Sequence, residues 1–128
     1  IRVLAVDDHE INRRTIALVL QPLDVDLTTA SDGRLALSLL AERPYDVVLM
    51  DVNMPGIDGN ETTRRLRASA GLNAATPVIG FSAGTGAEQV AACYAAGMTD
   101  WLAKPLEPKK LYDALQRAAQ ARPVDQAA

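Results

Sequence analysis

Asp46-Val47-Val48-Leu49-Met50-Asp51 is the stretch that decides the fold. Its four apolar residues run without interruption, so neither side of the segment suits water. That pattern reads as a strand covered on both faces, which is the habit of parallel sheets flanked by helices. On either side, other short strand-like runs alternate with helical patterns. Arg2–Val6 is apolar and β-branched, Val25–Ala30 alternates, Val78–Phe81 is again continuous, and Thr99–Ala103 is short. Between them lie helical stripes: Ile16, Val19, Leu20 and Leu23; then Leu35, Ala36, Leu39 and Leu40; and finally Leu111, Ala114, Leu115 and Ala118. Asp58 and Glu61 have capping-box spacing after a Pro55-Gly56 turn, and Thr85 and Glu88 repeat it before the fourth helix. Pro108 suits the first turn of the last helix, where a missing N–H costs little.

Five β–α units in one short chain predict an α/β fold: a doubly wound, five-stranded parallel sheet with helices on both faces, flavodoxin-like. Right-handed crossovers restrict the winding, and the common strand order is 2-1-3-4-5. Residues 1–120 form the expected domain. Residues 121–128 have linker composition, and the chain opens at Ile1 already inside a strand, so the sequence reads as a domain from a longer protein.

Composition narrows the function classes. The 128 residues, 48% apolar and 23% charged, suit one globular domain. A net charge of −3 offers no basic face for direct nucleic-acid contact. The single cysteine, Cys93, excludes an internal disulfide and fits a reducing, cytoplasmic setting. No apolar stretch nears the roughly 18 residues that span a bilayer, so this domain is not expected to contact a membrane.

The strand ends carry the chemistry. Val3–Val6 runs into Asp7 and Asp8, Val47–Met50 into Asp51, Val78–Phe81 into Ser82, and Trp101–Leu102 leads to Lys104. In a 2-1-3-4-5 sheet the crevice opens between strands one and three, so the acidic residues fall where ligands bind. A carboxylate after a strand often only caps the next helix. That explanation does not account for Asp7, Asp8 and Asp51 together, because Asp58 is the natural cap of helix three. Three carboxylates in one cleft repel each other unless a cation neutralises them. Mg²⁺, which takes oxygen ligands and bridges to phosphate, is the fitting one. Lys104 offers a mobile positive charge for Asp51 or a phosphoryl oxygen, and a Lys–Pro bond at this bend is a candidate for the cis form. Ser82 adds a hydroxyl, followed by the glycine-bearing loop Ala83-Gly84-Thr85-Gly86. His9 beside Asp7 and Asp8 is a single histidine without a second nitrogen or sulfur ligand, a poor transition-metal signature, and reads as a solvent-facing residue of the loop opening helix one.

Val6-Asp7-Asp8, Leu49-Met50-Asp51-Val52-Asn53-Met54-Pro55-Gly56-Ile57-Asp58-Gly59, Phe81-Ser82-Ala83 and Lys104-Pro105-Leu106 closely resemble the motifs of two-component receiver (CheY-like) domains. The stretches around Asp8–Arg13 and Asp51–Pro55 are similar to receivers attached to hybrid histidine kinases. The resemblance implies that Asp51 is the phosphoacceptor, taking a phosphoryl group from a phosphohistidine of a histidine kinase or a histidine phosphotransfer domain. It implies Mg²⁺ held by Asp8, Asp51 and the Asn53 carbonyl, with Asp7 acting through water. It also implies phosphoryl oxygens gripped by Lys104, Ser82 and the backbone N–H groups of Asn53 and Ala83. Such a domain is no conventional enzyme, although it catalyses its own phosphorylation and dephosphorylation.

Two positions depart from the commonest pattern. Ser82 stands where threonine is usual, and Trp101 stands where a tyrosine or phenylalanine swings inward on phosphorylation. Trp101 is open to three placements: switching, staying outside, or being held.

Two surfaces could meet partners. Ile11, Thr15 and Leu18 form a second stripe on helix one, beside the acidic pocket, suited to docking the phosphohistidine-bearing helix. Helix four, strand five and helix five, with Tyr94, Trp101 and Tyr112, form the face that meets an output domain or second receiver in the family. The rival classes are a scaffold that is never phosphorylated, an Asp-nucleophile phosphatase and a flavodoxin-type binder. The intact polar set opposes the first, and Asn53 occupies the place where the second needs an acid–base aspartate. An acidic pocket would repel the flavin phosphate of the third.

Overall fold

The computed structural model describes residues 1–121. The last helix runs to Ala121, and residues 122–128 of the expected linker lie outside the described residues. Five strands alternate with five helices: β1 (Arg2–Val6), α1 (Glu10–Leu20), β2 (Asp26–Ala30), α2 (Gly33–Glu42), β3 (Val47–Asp51), α3 (Gly59–Ala68), β4 (Val78–Ser82), α4 (Ala87–Ala95), β5 (Asp100–Ala103) and α5 (Pro108–Ala121). Every strand pair is parallel, and the order is β2-β1-β3-β4-β5, as the alternating pattern predicts.

The strand period of two divides the interior into two layers. Val3, Ala5, Val47, Leu49, Ile79 and Phe81 point to the layer closed by α1 and α5. Leu4, Val6, Val48, Met50 and Val78 point to the layer shared with α2, α3 and α4. All five residues of β3 are buried, which is the double cover that its unbroken apolar run demands. Asp7 and Asp51 continue the parity of Ala5 and Leu49, so they lie on the α1/α5 side of the sheet just beyond its apolar part.

Local signals worked unevenly. Asp58 caps α3 by accepting the Glu61 N–H, but the Glu61 side chain pairs with Arg64 and Arg65 instead of reaching back. The capping box is therefore half formed. At α4 the expected Thr85 cap is absent: Gly86 holds the N-cap position and no side chain caps the helix. Gly59 is required for a different reason. A Cβ there would lie 2.3 Å from the Asp51 carbonyl oxygen, so only glycine lets α3 begin directly against the end of β3. The Lys104–Pro105 peptide is cis.

Candidate functional site

The strand ends meet as the topology requires. Asp7 and Asp51 are fully buried, while Asp8 is partly exposed at the start of the loop to α1. Ligand atoms of Asp7, Asp8, His9 and Asp51 all lie within 4.8 Å of one another. Asp51 Oδ1 accepts from the Asn53 N–H at 3.2 Å and pairs with Lys104 Nζ at 3.1 Å. Lys104 Nζ also stands 5.4 Å from the centre of the Phe81 ring, where a cation is attracted to the aromatic face.

Burial pushes the Asp51 carboxyl above its ordinary pKa, and the neighbouring Asp7 charge pushes the same way. The Lys104 contact and the Asn53 N–H oppose the rise without cancelling it. Charge is therefore in surplus on the acidic side. Asp7 Oδ2, Asp8 Oδ1 and Asp51 Oδ2 are all buried oxygens without a hydrogen-bond partner. Buried polar atoms are rarely left so, and three carboxylates gathered with orphan oxygens fit a small, oxygen-seeking dication.

Asp7 is held from several sides. The His9 N–H donates to Asp7 Oδ1 at 2.9 Å, Asn12 Nδ2 donates to the same oxygen at 3.3 Å, and Arg13 Nη1 donates to the Asp7 carbonyl at 2.7 Å. Sequence reasoning gave Asn12 no role. It sits four residues before the buried Ile16, a spacing that places it on the inward face of α1. His9 is exposed as expected, yet its Nδ1 turns back to within 3.3 Å of Asp8 Oδ1 and 3.6 Å of Asp7 Oδ1.

Ser82 is 3% exposed and donates to the Gly84 carbonyl at 2.8 Å, away from the carboxylates. Trp101 is half-buried against the α2–α4 layer, and its Nε1–H donates to Ser82 Oγ at 3.2 Å. Ala83 lines a groove of about 510 Å³ together with Asp7, Asn12, Thr15, Lys104 and Leu106. The groove runs between α1 and the loop after β5. On the same helix Ile11 and Leu18 are 77% and 68% exposed. On the other candidate surface Tyr94 is exposed, and Arg117 forks onto Asp100 at 2.7 and 3.0 Å. Tyr112 does not share that face. Its hydroxyl donates to the Val19 carbonyl and its ring packs with the α1/α5 layer, because α5 turns that side toward α1.

Among the described residues no helix is long and apolar enough to cross a membrane. The response regulator receiver domain family matches residues 3–116. The chain is 44% identical over 104 residues to the sensor histidine kinase RcsC of Escherichia coli, covering 81% of this chain and 11% of that protein. It is 38% identical over 123 residues to the virulence sensor protein BvgS of Bordetella bronchiseptica, covering 93% of this chain and 10% of that protein. The chain thus spans about a tenth of the length of these curated relatives. Among solved structures it resembles the receiver domain of a Pseudomonas aeruginosa sensor histidine kinase, described with a magnesium ion in its active-site cleft. The TM-score is 0.86 at 32% identity, over 94% of this chain and 98% of that one. The Vibrio cholerae chemotaxis protein CheY4 matches with a TM-score of 0.84 at 36% identity, over 91% and 97% of the two chains. The sheet order, the acidic cleft and these likenesses lead to one conclusion: this chain belongs to the response regulator receiver domain family, and its relatives include receivers of hybrid sensor kinases.

Proposed function

We propose that residues 1–120 form a phosphoacceptor module of a His–Asp relay, in which the Asp51 carboxylate receives a phosphoryl group from a phosphohistidine. The observation that carries this reading is the buried Asp51, bonded to Lys104 on one oxygen and left with an orphan oxygen beside Asp7 and Asp8. A carboxylate oxygen of Asp51 forms the new O–P bond as the N–P bond of the donor breaks, and the donor imidazole keeps the electron pair. The product is an acyl phosphate that water later cleaves at phosphorus.

Lys104 and the Asn53 and Ala83 N–H groups face the charge spread over the transferring oxygens, and preorganised donors of this kind supply most of the stabilisation in such transfers. Ser82 joins them once its hydroxyl turns from the Gly84 carbonyl. Asp8, Asp51 and the Asn53 carbonyl would hold Mg²⁺, with Asp7 acting through water. When bound, the ion neutralises the acidic cleft and polarises a phosphoryl oxygen. The exposed Ile11, Thr15 and Leu18, with the groove between α1 and Lys104, form the face for the donor, a histidine kinase or histidine phosphotransfer domain. The α4/β5/α5 face would report phosphorylation to an output domain or a second receiver. No observation favours a scaffold that is never phosphorylated, since every polar group needed for acceptance is present.

Intact-mass measurement after incubation with Mg²⁺ and a small acyl phosphate tests the proposal. The expected result is a Mg²⁺-dependent gain of one phosphoryl group, absent in Asp51→Asn. No gain with that donor or with a phosphohistidine protein would overturn it.

A further inference from the structure

We infer that His9 is a nitrogen ligand of the acidic cation site and gives it affinity for borderline transition-metal dications such as Zn²⁺ and Co²⁺; this rests on the metal-site reading above. His9 occupies the N-cap position of α1, but its side chain makes no capping bond. The ring is spent instead on the acids: Nδ1 is 3.3 Å from Asp8 Oδ1 and 3.6 Å from Asp7 Oδ1. Asp7 and Asp51 each keep a buried oxygen without a hydrogen-bond partner, and the corresponding oxygen of Asp8 is the one that His9 Nδ1 approaches. The four ligand atoms span no more than 4.8 Å, so one ion can reach them all.

The donor set is what separates this from an oxygen-only site. Carboxylates and water suit Mg²⁺, whereas imidazole adds selectively to the affinity for Zn²⁺, Co²⁺ and Ni²⁺. One imidazole nitrogen, the Asp8 and Asp51 carboxylates and a water held by Asp7 supply the four donors of a tetrahedral zinc centre. His9 is also the exposed member of the group, while Asp7 and Asp51 are closed off from solvent. Simple pairing with Asp8 would not require the ring to approach Asp7 as well. The residue before helix one thus determines which class of cation the cleft prefers, and its substitution shifts that preference without touching the acidic residues.

The test is calorimetric titration of the 128-residue chain at pH 8 with MgCl₂, ZnCl₂ and CoCl₂, for wild type, His9→Gln and Asp8→Asn, with visible spectra of the Co²⁺ forms. Loss of even an outer-shell partner weakens metal sites by about tenfold or more. His9→Gln should therefore weaken Zn²⁺ and Co²⁺ by at least about tenfold, alter the Co²⁺ bands, and change Mg²⁺ affinity by less than about twofold. Unchanged Zn²⁺ affinity and Co²⁺ bands in His9→Gln would overturn the inference. So would Zn²⁺ binding that survives Asp8→Asn, since the ion would then sit elsewhere. If wild type binds Mg²⁺ normally, those outcomes remove only the role of His9. If wild type binds none of the three ions, the metal-site reading falls with it.

Discussion

Replacing Trp101 with phenylalanine keeps an aromatic ring on β5 but deletes the N–H that reaches Ser82 Oγ. At 3.2 Å this bond lies at the long end of the N–H···O range, so its worth belongs in the lower half of the usual ~0.5–1.5 kcal/mol. A single substitution also changes packing, because the indole is partly buried against the α2–α4 layer. A cycle of Trp101→Phe, Ser82→Ala and the double variant separates the two effects. Urea unfolding followed by far-ultraviolet circular dichroism gives the four stabilities. The expected coupling energy is about 0.5–1 kcal/mol. Additivity within about 0.3 kcal/mol would mean that the indole does not restrain the hydroxyl in solution. The same bond energy sets a kinetic expectation. If Trp101 keeps Ser82 turned toward Gly84, its removal speeds labelling by a small phosphodonor by about two- to fivefold. Slower labelling by Trp101→Phe would refute that restraint.

Other consequences can be checked singly. The folded Asp51 carboxyl holds its proton above the ordinary carboxylate range, so the folded state binds more protons than the unfolded state between the two pKa values. Its contribution to stability is therefore greatest below the unfolded pKa and is lost as pH rises through the folded one. Asp51→Asn should be more stable than wild type at neutral pH without metal, with the gap closing in acid; a gap that widens in acid reverses the sign. Leu18→Asp should slow transfer from a phosphohistidine protein and spare labelling by a small donor, and equal losses with both would count against α1 as the donor face. Gly59→Ala forces a Cβ onto the Asp51 carbonyl and should cost about 1–3 kcal/mol in chemical denaturation; a neutral result would show that α3 can retreat freely.

The fold was legible because its signals are local. The unbroken Val47–Met50 run and the alternation of strand and helix patterns depend only on neighbours in sequence, and so does the placing of Asp7, Asp8 and Asp51 at strand ends. What escaped depends on register and side-chain direction. The bond between Trp101 and Ser82 requires β4 and β5 to pair with Gly80 beside Trp101, and no local pattern specifies that pairing. Tyr112 was assigned to the wrong face because the helical stripe around Leu111 does not say how α5 leans on α1. Thr85 had the spacing of a cap, yet α4 starts two residues later with Gly86 before it. His9 looked solitary in sequence, and only the turn of the loop after β1 aims its ring at the acids.

The parity of the sheet bears on how such a domain diverges. Asp7, Asp51 and Phe81 stand on the side of α1 and α5, whereas Ser82 and Trp101 stand on the side of α4. The proposed donor surface on α1 and the indole at the rim of β5 are thus backed by different core layers and share only the cleft. If α1 is the donor face, substitutions at Ile11, Thr15 or Leu18 would change the choice of donor while leaving the packing around Trp101 intact. On the proposed donor face, a lineage would change its donor through α1 without repacking the layer behind Trp101, whereas a reader that also touches α5 stays tied to the layer of α1.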